Sequence, residues 1–302
     1  MIFLQQLING LTTGSLFALV AIGYTMVYGI IELINFAHGD LFMLGAFLAL
    51  WLVVALGLPA AGTAGVAFGL VLVFALTMVF CAALNCTVDV LVYKPLRRAP
   101  KLTALVSAIG VSFAFMGIGQ LWRGVADIDF PDLLPNKNLL PSDNLRFTAK
   151  DLFVILVTIP LMAGLTLFVK FTRLGKAMRA TAQNPTAAQL MGINVNRVIG
   201  ATFAIGGSLA GAAAVIYGLS INTVSFQMGY QNGLYAFTAA VLGGIGNLPG
   251  AMLGGIVIGL VRSLGSQYVG EQWTSALVFA ILIVILVFRP SGLLGARTRE
   301  KV

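Results

Sequence analysis

Charge is what this chain has least of. Asp, Glu, Lys and Arg make up 9% of its 302 residues, against 59% hydrophobic, whereas a soluble protein carries about 25% charged residues. That shortage excludes a soluble enzyme and leaves a polytopic membrane protein. Histidine is nearly absent. His38 stands alone, so zinc-protease and Ser-His-Asp chemistry have little to work with. The two cysteines, Cys81 and Cys86, sit in one apolar run. With no further ligand nearby they read as packing residues, not as a metal or disulfide pair. No G-x-x-x-x-G-K-[ST] loop occurs, because Gly175-Lys176 lacks the upstream glycine and the following hydroxyl. The glycine run 243–250 departs from G-x-G-x-x-G at Pro249 and Gly250, and no strand precedes it. No cofactor is therefore expected. No Lys or Arg precedes Lys94, so no cleavable signal peptide is expected either. The net charge of +8 is gathered in loops between apolar runs. That is positive-inside patterning, not a nucleic-acid-binding face.

What is present is apolar length. Runs fall at residues 7–30, 41–58, 61–88, 102–122, 152–169, 198–219, 251–264 and 273–288, several of them near the roughly 20 residues that cross a bilayer as helix. A ninth, 234–242, is too short to cross alone. The fold class is all-α and polytopic, with about eight to nine transmembrane helices, some broken or half-length, in a single transmembrane domain, 1–302. Loop 94–101 carries Lys94, Arg97, Arg98 and Lys101 and no acid. Loop 170–197 carries Lys170, Arg173, Lys176, Arg179 and Arg197 and no acid. Both belong in the cytoplasm, as does the tail with Arg297, Arg299, Glu300 and Lys301. Loop 123–151 holds five Asp, four Lys/Arg and three prolines and reads as extracytoplasmic. This count puts the C-terminus inside and the N-terminus outside, and it requires 234–242 to cross.

Three stretches stand out. In the basic loop, Asn184 and Pro185 open a short helix that Ala187, Ala188, Leu190 and Met191 fill and Gly192 stops. Such a helix is shaped to dock on a soluble partner; the plainer reading is a loop that only sets topology. In 31–40, Glu32, His38 and Asp40 lie among apolar residues with Asn35 and Phe36. They read either as a pathway element or as structure, with Asp40 capping a helix that begins at Leu41. Too polar to continue a span and too apolar for a loop, 31–40 reads as a break or half-helix at membrane depth, although the span count places it near the cytoplasmic interface. The third stretch, near Ser225 and Phe226, repeats the second. Tyr28-Gly29, Phe36, Gly39 and Ala46-Phe47-x-Ala49 recur as Tyr217-Gly218, Phe226, Gly229 and Ala236-Phe237-x-Ala239. The two copies run in opposite senses, the pattern of an inverted repeat whose broken helices flank a central pathway. Glycines at four-residue spacing, such as Gly250/Gly254 and Gly255/Gly259, predict close helix packing. Arg262, alone in its run, is expected to snorkel to the outer interface.

The run Ile34-Asn35-Phe36-Ala37-His38-Gly39-Asp40 resembles the permease subunit of branched-chain amino acid importers of the ATP-binding-cassette type. So do Leu190-Met191-Gly192-Ile193-Asn194, residues 237–246 (FTAAVLGGIG) and Arg289-Pro290-x-Gly292-Leu293-Leu294-Gly295. The resemblance runs essentially end to end. It implies a bacterial inner-membrane subunit that is not an enzyme and has no catalytic residue or metal. It also implies a second, homologous permease, two cytoplasmic ATP-binding subunits and a periplasmic binding protein that delivers Leu, Ile or Val. The coupling region falls on residues 184–194. Urea and short-chain amide permeases belong to the same group, which leaves the substrate open. An intramembrane enzyme lacks its nucleophile–base pair here. A self-sufficient secondary transporter or channel lacks a clear charged midplane site.

Overall fold

The structure, a computed structural model, describes residues 1–97, 99–141 and 145–295. The tail residues Arg297, Arg299, Glu300 and Lys301, with Arg98 and Asp143, lie outside them. Helix dominates, as it must where lipid offers the backbone no hydrogen bonds. Among the described residues the order is α1 (Ile2–Ile31), α2 (Ala37–Ala55), α3 (Thr63–Leu96), α4 (Lys101–Arg123), α5 (Ala149–Phe171), α6 (Arg173–Gln183), α7 (Pro185–Leu190), α8 (Val195–Ile221), α9 (Met228–Gly243), α10 (Leu248–Tyr268) and α11 (Glu271–Phe288). Eight of these are long and apolar enough to cross a membrane: all but α6, α7 and α9. The polytopic all-α class expected from composition is what forms.

The helices outrun the apolar runs because polar residues extend their ends. At α5, Thr148 and Asp151 form a reciprocal capping box. At α3, a π-turn over Asp89–Tyr93 carries the helix past its apolar stretch. There buried Asp89 pairs with Arg97 at 2.8 Å.

Two faces follow from the loop contacts. On one, the Gln5 amide donates to the Arg146 carbonyl, and Gln6 donates to Gln267. The acidic-loop strand Ile128–Asp129 pairs antiparallel with Thr223–Val224 on the same face. On the other face, α6 lies under the end of α1 beside Gly246. There the amides of Leu293 and Leu294 donate to the carbonyls of Leu242 and Gly243. The basic loop and the acidic loop thus lie on opposite faces. Residues 222–243 carry the chain from one to the other, first as a non-helical segment and then as α9.

α1 is wrapped on nearly every side and forms the centre of the core. Lipid supplies little hydrophobic drive between helices, so close approach has to supply the dispersion energy. Glycines make it. A methyl built on Gly14 (α1) would lie 2.8 Å from Ile256 Cα (α10). One on Gly211 (α8) would lie 2.9 Å from Met78 Cα (α3), and one on Gly255 would lie 2.6 Å from Ala18 Cβ. The packing expected of the spaced glycines is present. By contrast, α4, α5 and α11 leave most of their surface uncovered. Cys81 and Cys86 are free thiols; each approaches a different backbone carbonyl, of Leu41 and of Gly200.

Candidate functional site

Two long helices break in the same way. α1 stops at Glu32 and α8 at Asn222, the only described non-glycine residues at clearly positive φ, 52° and 58°. After the first break the chain turns back into the fold. His38 packs against Gly23, eight residues (31 − 23) back along α1 from Ile31, or about 12 Å at 1.5 Å per residue. This corrects two expectations. α2 begins at Ala37, so Asp40 lies in its first turn and is not its N-cap. His38 and Asp40 are each 1% exposed and sit inside the fold, away from either interface.

α2 and α9 meet at their first turns. A methyl on Gly39 would lie 2.8 Å from Gly233 Cα, and one on Gly229 would lie 2.9 Å from Asp40 Cα. Neither helix start has a side-chain cap. The Asp40 carboxylate lies between them: the Ser112 hydroxyl donates to one oxygen, and the other faces Gly229. Among the described residues the Ser112 hydroxyl is this carboxylate's one hydrogen-bond donor, and its other oxygen is buried without a partner. His38 sits edge-on to Tyr24, ring centres 4.8 Å apart. Phe36 packs on Phe237 at 5.5 Å.

The broken segment is tied down by residues that the sequence reading did not single out. Asn35 Nδ2 donates to Asn85 Oδ1 at 3.1 Å, and Asn85 Nδ2 donates to the Phe203 carbonyl at 2.7 Å. The Tyr93 hydroxyl reaches the Ile34 carbonyl at 3.1 Å. A lone Asn in the apolar run 61–88 was the available signal for Asn85. Of the sequence candidates, Asn35, Phe36, His38 and Asp40 come together here. Glu32 lies on the basic face, and half-buried Ser225 and Phe226 lie towards the opposite face, before α9.

A cavity opens on either side of this crossing. The one on the acidic-loop face, about 290 Å³, descends from Gln6 to Val20, Phe42 and Asn232. The one on the basic face, about 1010 Å³, is bordered by Tyr28, Glu32, Lys170, Arg179 and Asn247. Arg262, 30% exposed, lies on the acidic-loop face within 3.8 Å of exposed Glu271. Its guanidinium lies over the rings of Tyr235 (5.1 Å) and Phe17 (5.7 Å) and borders the first cavity. Two aromatic faces attract the cation and help to fix its position.

In the basic loop, Asn184 caps α7 by accepting from the Ala187 N–H at 3.0 Å. Pro185 occupies its first turn, and Gly192 ends it at φ 81°. Leu190 and Met191 are 84% and 83% exposed, whereas Ala188 is 4% exposed and turned into the protein. The sequence reading missed α6, which fills the first part of this loop.

The fold and its two cavities define a polytopic, broken-helix membrane protein. Residues 6–287 match the family described as "Branched-chain amino acid transport system / permease component", and the chain belongs to that family. It is therefore a transport component and not an enzyme. It is 41% identical, over 99% of its length and 98% of the relative's, to the high-affinity branched-chain amino acid transport system permease protein BraD of Pseudomonas aeruginosa. It is 40% identical, with the same coverage, to the corresponding protein LivH of Escherichia coli K12. A more distant relative, at 26% over 62% of this chain and 56% of the relative, is the autoinducer 2 import system permease protein LsrC of Escherichia coli. No solved structure matches it.

Proposed function

We propose that this chain is the membrane-spanning permease subunit of an ATP-binding-cassette importer for Leu, Ile and Val in a bacterial inner membrane. It works by alternating access, driven by partner ATPases. The observation that carries this reading is full-length identity of about two residues in five to relatives named for that transport. The basic face is cytoplasmic by the positive-inside rule, which puts the N-terminus in the periplasm and the C-terminus inside. The partners are a second, homologous permease, two cytoplasmic ATP-binding subunits and a periplasmic binding protein that meets the 123–151 loop. Asn184, Pro185, Ala187, Ala188, Leu190, Met191 and Gly192 form the coupling element. Leu190 and Met191, bare on the basic face, supply its apolar anchor. Glu32, Asn35, Phe36, His38, Asp40, Ser225 and Phe226 belong to the translocation pathway. The matched breaks at Glu32 and Asn222 and the Gly39–Gly229 crossing support an inverted repeat centred there.

Co-expression with neighbouring transport genes, purification and reconstitution test the reading. Leucine uptake that needs both ATP and the binding protein is expected. Uptake without ATPase subunits would favour a secondary transporter. The second reading, a urea or short-chain amide permease, rests on the stretch Ala37-His38-Gly39-Asp40, which resembles urea permeases of the same group. A binding protein that co-purifies with urea or an amide would select it.

A further inference from the structure

We infer that the cavity on the acidic-loop face is a binding site for one zwitterionic aliphatic amino acid, held within a single protomer by Arg262 and Glu271. This rests on the branched-chain amino acid reading above and adds the place and the recognising groups.

The cavity runs along α1 from Gln6 to Val20, fourteen positions (20 − 6), or about 21 Å at 1.5 Å per residue. That depth is well over half of a hydrocarbon core about 30 Å thick. Its volume, about 290 Å³, is at the small end of ligand pockets, which begin near 300 Å³. Its mouth is polar. Ser263 donates to Gln6 Oε1 at 2.6 Å, and Gln6 donates to Gln267 at 3.1 Å. Such groups would be costly against lipid and indicate a wetted lumen. Its floor, made by Leu16, Val20, Phe42 and Tyr217, is apolar apart from Asn232, and it ends just before the Gly39–Gly229 crossing.

The charged pair is the discriminating feature. Arg262 is held by Phe17 and Tyr235, and the Tyr235 hydroxyl is in turn hydrogen-bonded to Ser275 at 2.7 Å. Its position is fixed by packing, yet among the described residues its guanidinium makes no hydrogen bond. Its ionic neighbour, Glu271 Oε1, is 3.8 Å away, beyond hydrogen-bond range. A pair this loose, 30% and 70% exposed, contributes little to stability. An α-amino acid carries the two complementary groups on one carbon. Its carboxylate matches the Arg262 fork, its ammonium matches Glu271, and a branched aliphatic side chain points down to the apolar floor. Neither a neutral solute such as urea nor a lipid tail uses both charges.

Photo-leucine, a diazirine analogue, tests this on the full chain in lipid nanodiscs, with labelled residues mapped by peptide mass spectrometry. Labelling is expected between Thr13 and Val20, or at Phe42 or Tyr217. Leucine should block it, while leucinamide (no carboxylate) and 4-methylpentanoate (no ammonium) at equal concentration should not. Arg262→Gln should weaken leucine competition roughly ten- to hundredfold, the value of a charge-assisted pair. Arg262→Lys should restore part of it. Glu271→Gln lies at an exposed helix start and reports independently if Arg262→Gln does not insert. Labelling outside the cavity, leucinamide competing as well as leucine, or unchanged affinity in Arg262→Gln and Glu271→Gln would each overturn the site. Leucine uptake by the reconstituted importer separates the two claims. Parental uptake with an unchanged half-saturation in these variants rejects the site alone. A parent that imports no aliphatic amino acid rejects the transport reading and this site with it.

Discussion

Replacing Gly39 with Ala tests the central crossing. The added methyl would stand 2.8 Å from Gly233 Cα on α9. Carbon atoms prefer about 3.5–4.0 Å, so the two helices must separate by roughly 1 Å. The obstacle is backbone and cannot rotate away. Overpacking of this kind costs about 1–3 kcal/mol, and Ala in place of helical Gly returns about 0.5–1 kcal/mol. The net expectation is about 1–2 kcal/mol, or roughly 2–8 °C in Tm at the per-residue scale of large domains. Thermal unfolding of the purified protein in detergent measures it. Gly117→Ala, where nothing lies within 4 Å, is the matched control and should be neutral or slightly stabilising. Gly229→Ala pushes on the same crossing from the other side, where its methyl would meet Asp40 Cα at 2.9 Å. Once α2 and α9 have parted, the second methyl meets less resistance. The double variant should therefore lose less than the sum of the two. Additive losses, or a Gly39→Ala protein as stable as the parent, would refute the reasoning.

Asn85→Ala removes the partner of both the Asn35 amide and the Phe203 carbonyl. A loss of about 1–3 kcal/mol is expected, read as a lower Tm, with Asn85→Asp failing to restore the donor. Leu190→Ser with Met191→Ser changes two side chains that are more than 80% exposed. Insertion should be normal and ATP-driven uptake at least tenfold slower; parental uptake with the complex intact would leave this loop a topology signal only. Gly192→Val forces a β-branched residue to φ 81° at about 1–2 kcal/mol, and should uncouple ATP hydrolysis from transport without unfolding the spans. Neutralising Asp127 and Asp129 should slow delivery by the binding protein and flatten its salt dependence. Asp132→Asn should instead lower stability slightly, because Asp132 is engaged with Lys150 at 2.8 Å.

Much of the fold could be read from apolar length. Eight runs marked the eight long helices, and Asn184, Pro185 and Gly192 marked α7 by capping chemistry that acts locally. The interior of the site was less legible. The charge count placed residues 31–40 at an interface because it treats a chain as a series of spans and loops. The composition of 31–40, too polar for a span and too apolar for a loop, did mark a break at membrane depth, and the chain does turn back into the fold between Glu32 and His38. Asn85, Tyr93 and Ser112 were invisible as functional supports because their partners lie on other helices. For Arg262 the sequence offered no sign of its ring contacts, because Phe17 and Tyr235 are far from it in sequence.

The crossing, the cavities and the basic face also have to act together. Met178 of α6 is buried and shares a cleft with Met26 and Ile30 at the end of α1 and with Gly246. α7 follows α6 after Asn184 and buries Ala188. Under the coupling role proposed above, a force applied at Leu190 and Met191 would pass through α6 to Met26 and Ile30 of α1. There α1 ends in an αL residue followed by a non-helical segment. The same end of α1 carries Tyr24, which touches both His38 of α2 and Phe237 of α9. A small tilt of α1 at this point loosens Tyr24 from the crossing that separates the two cavities. Packed interfaces switch between discrete arrangements and do not bend continuously. Alternating exposure of one site then needs only that α1 hold Tyr24 either against the Gly39–Gly229 crossing or away from it.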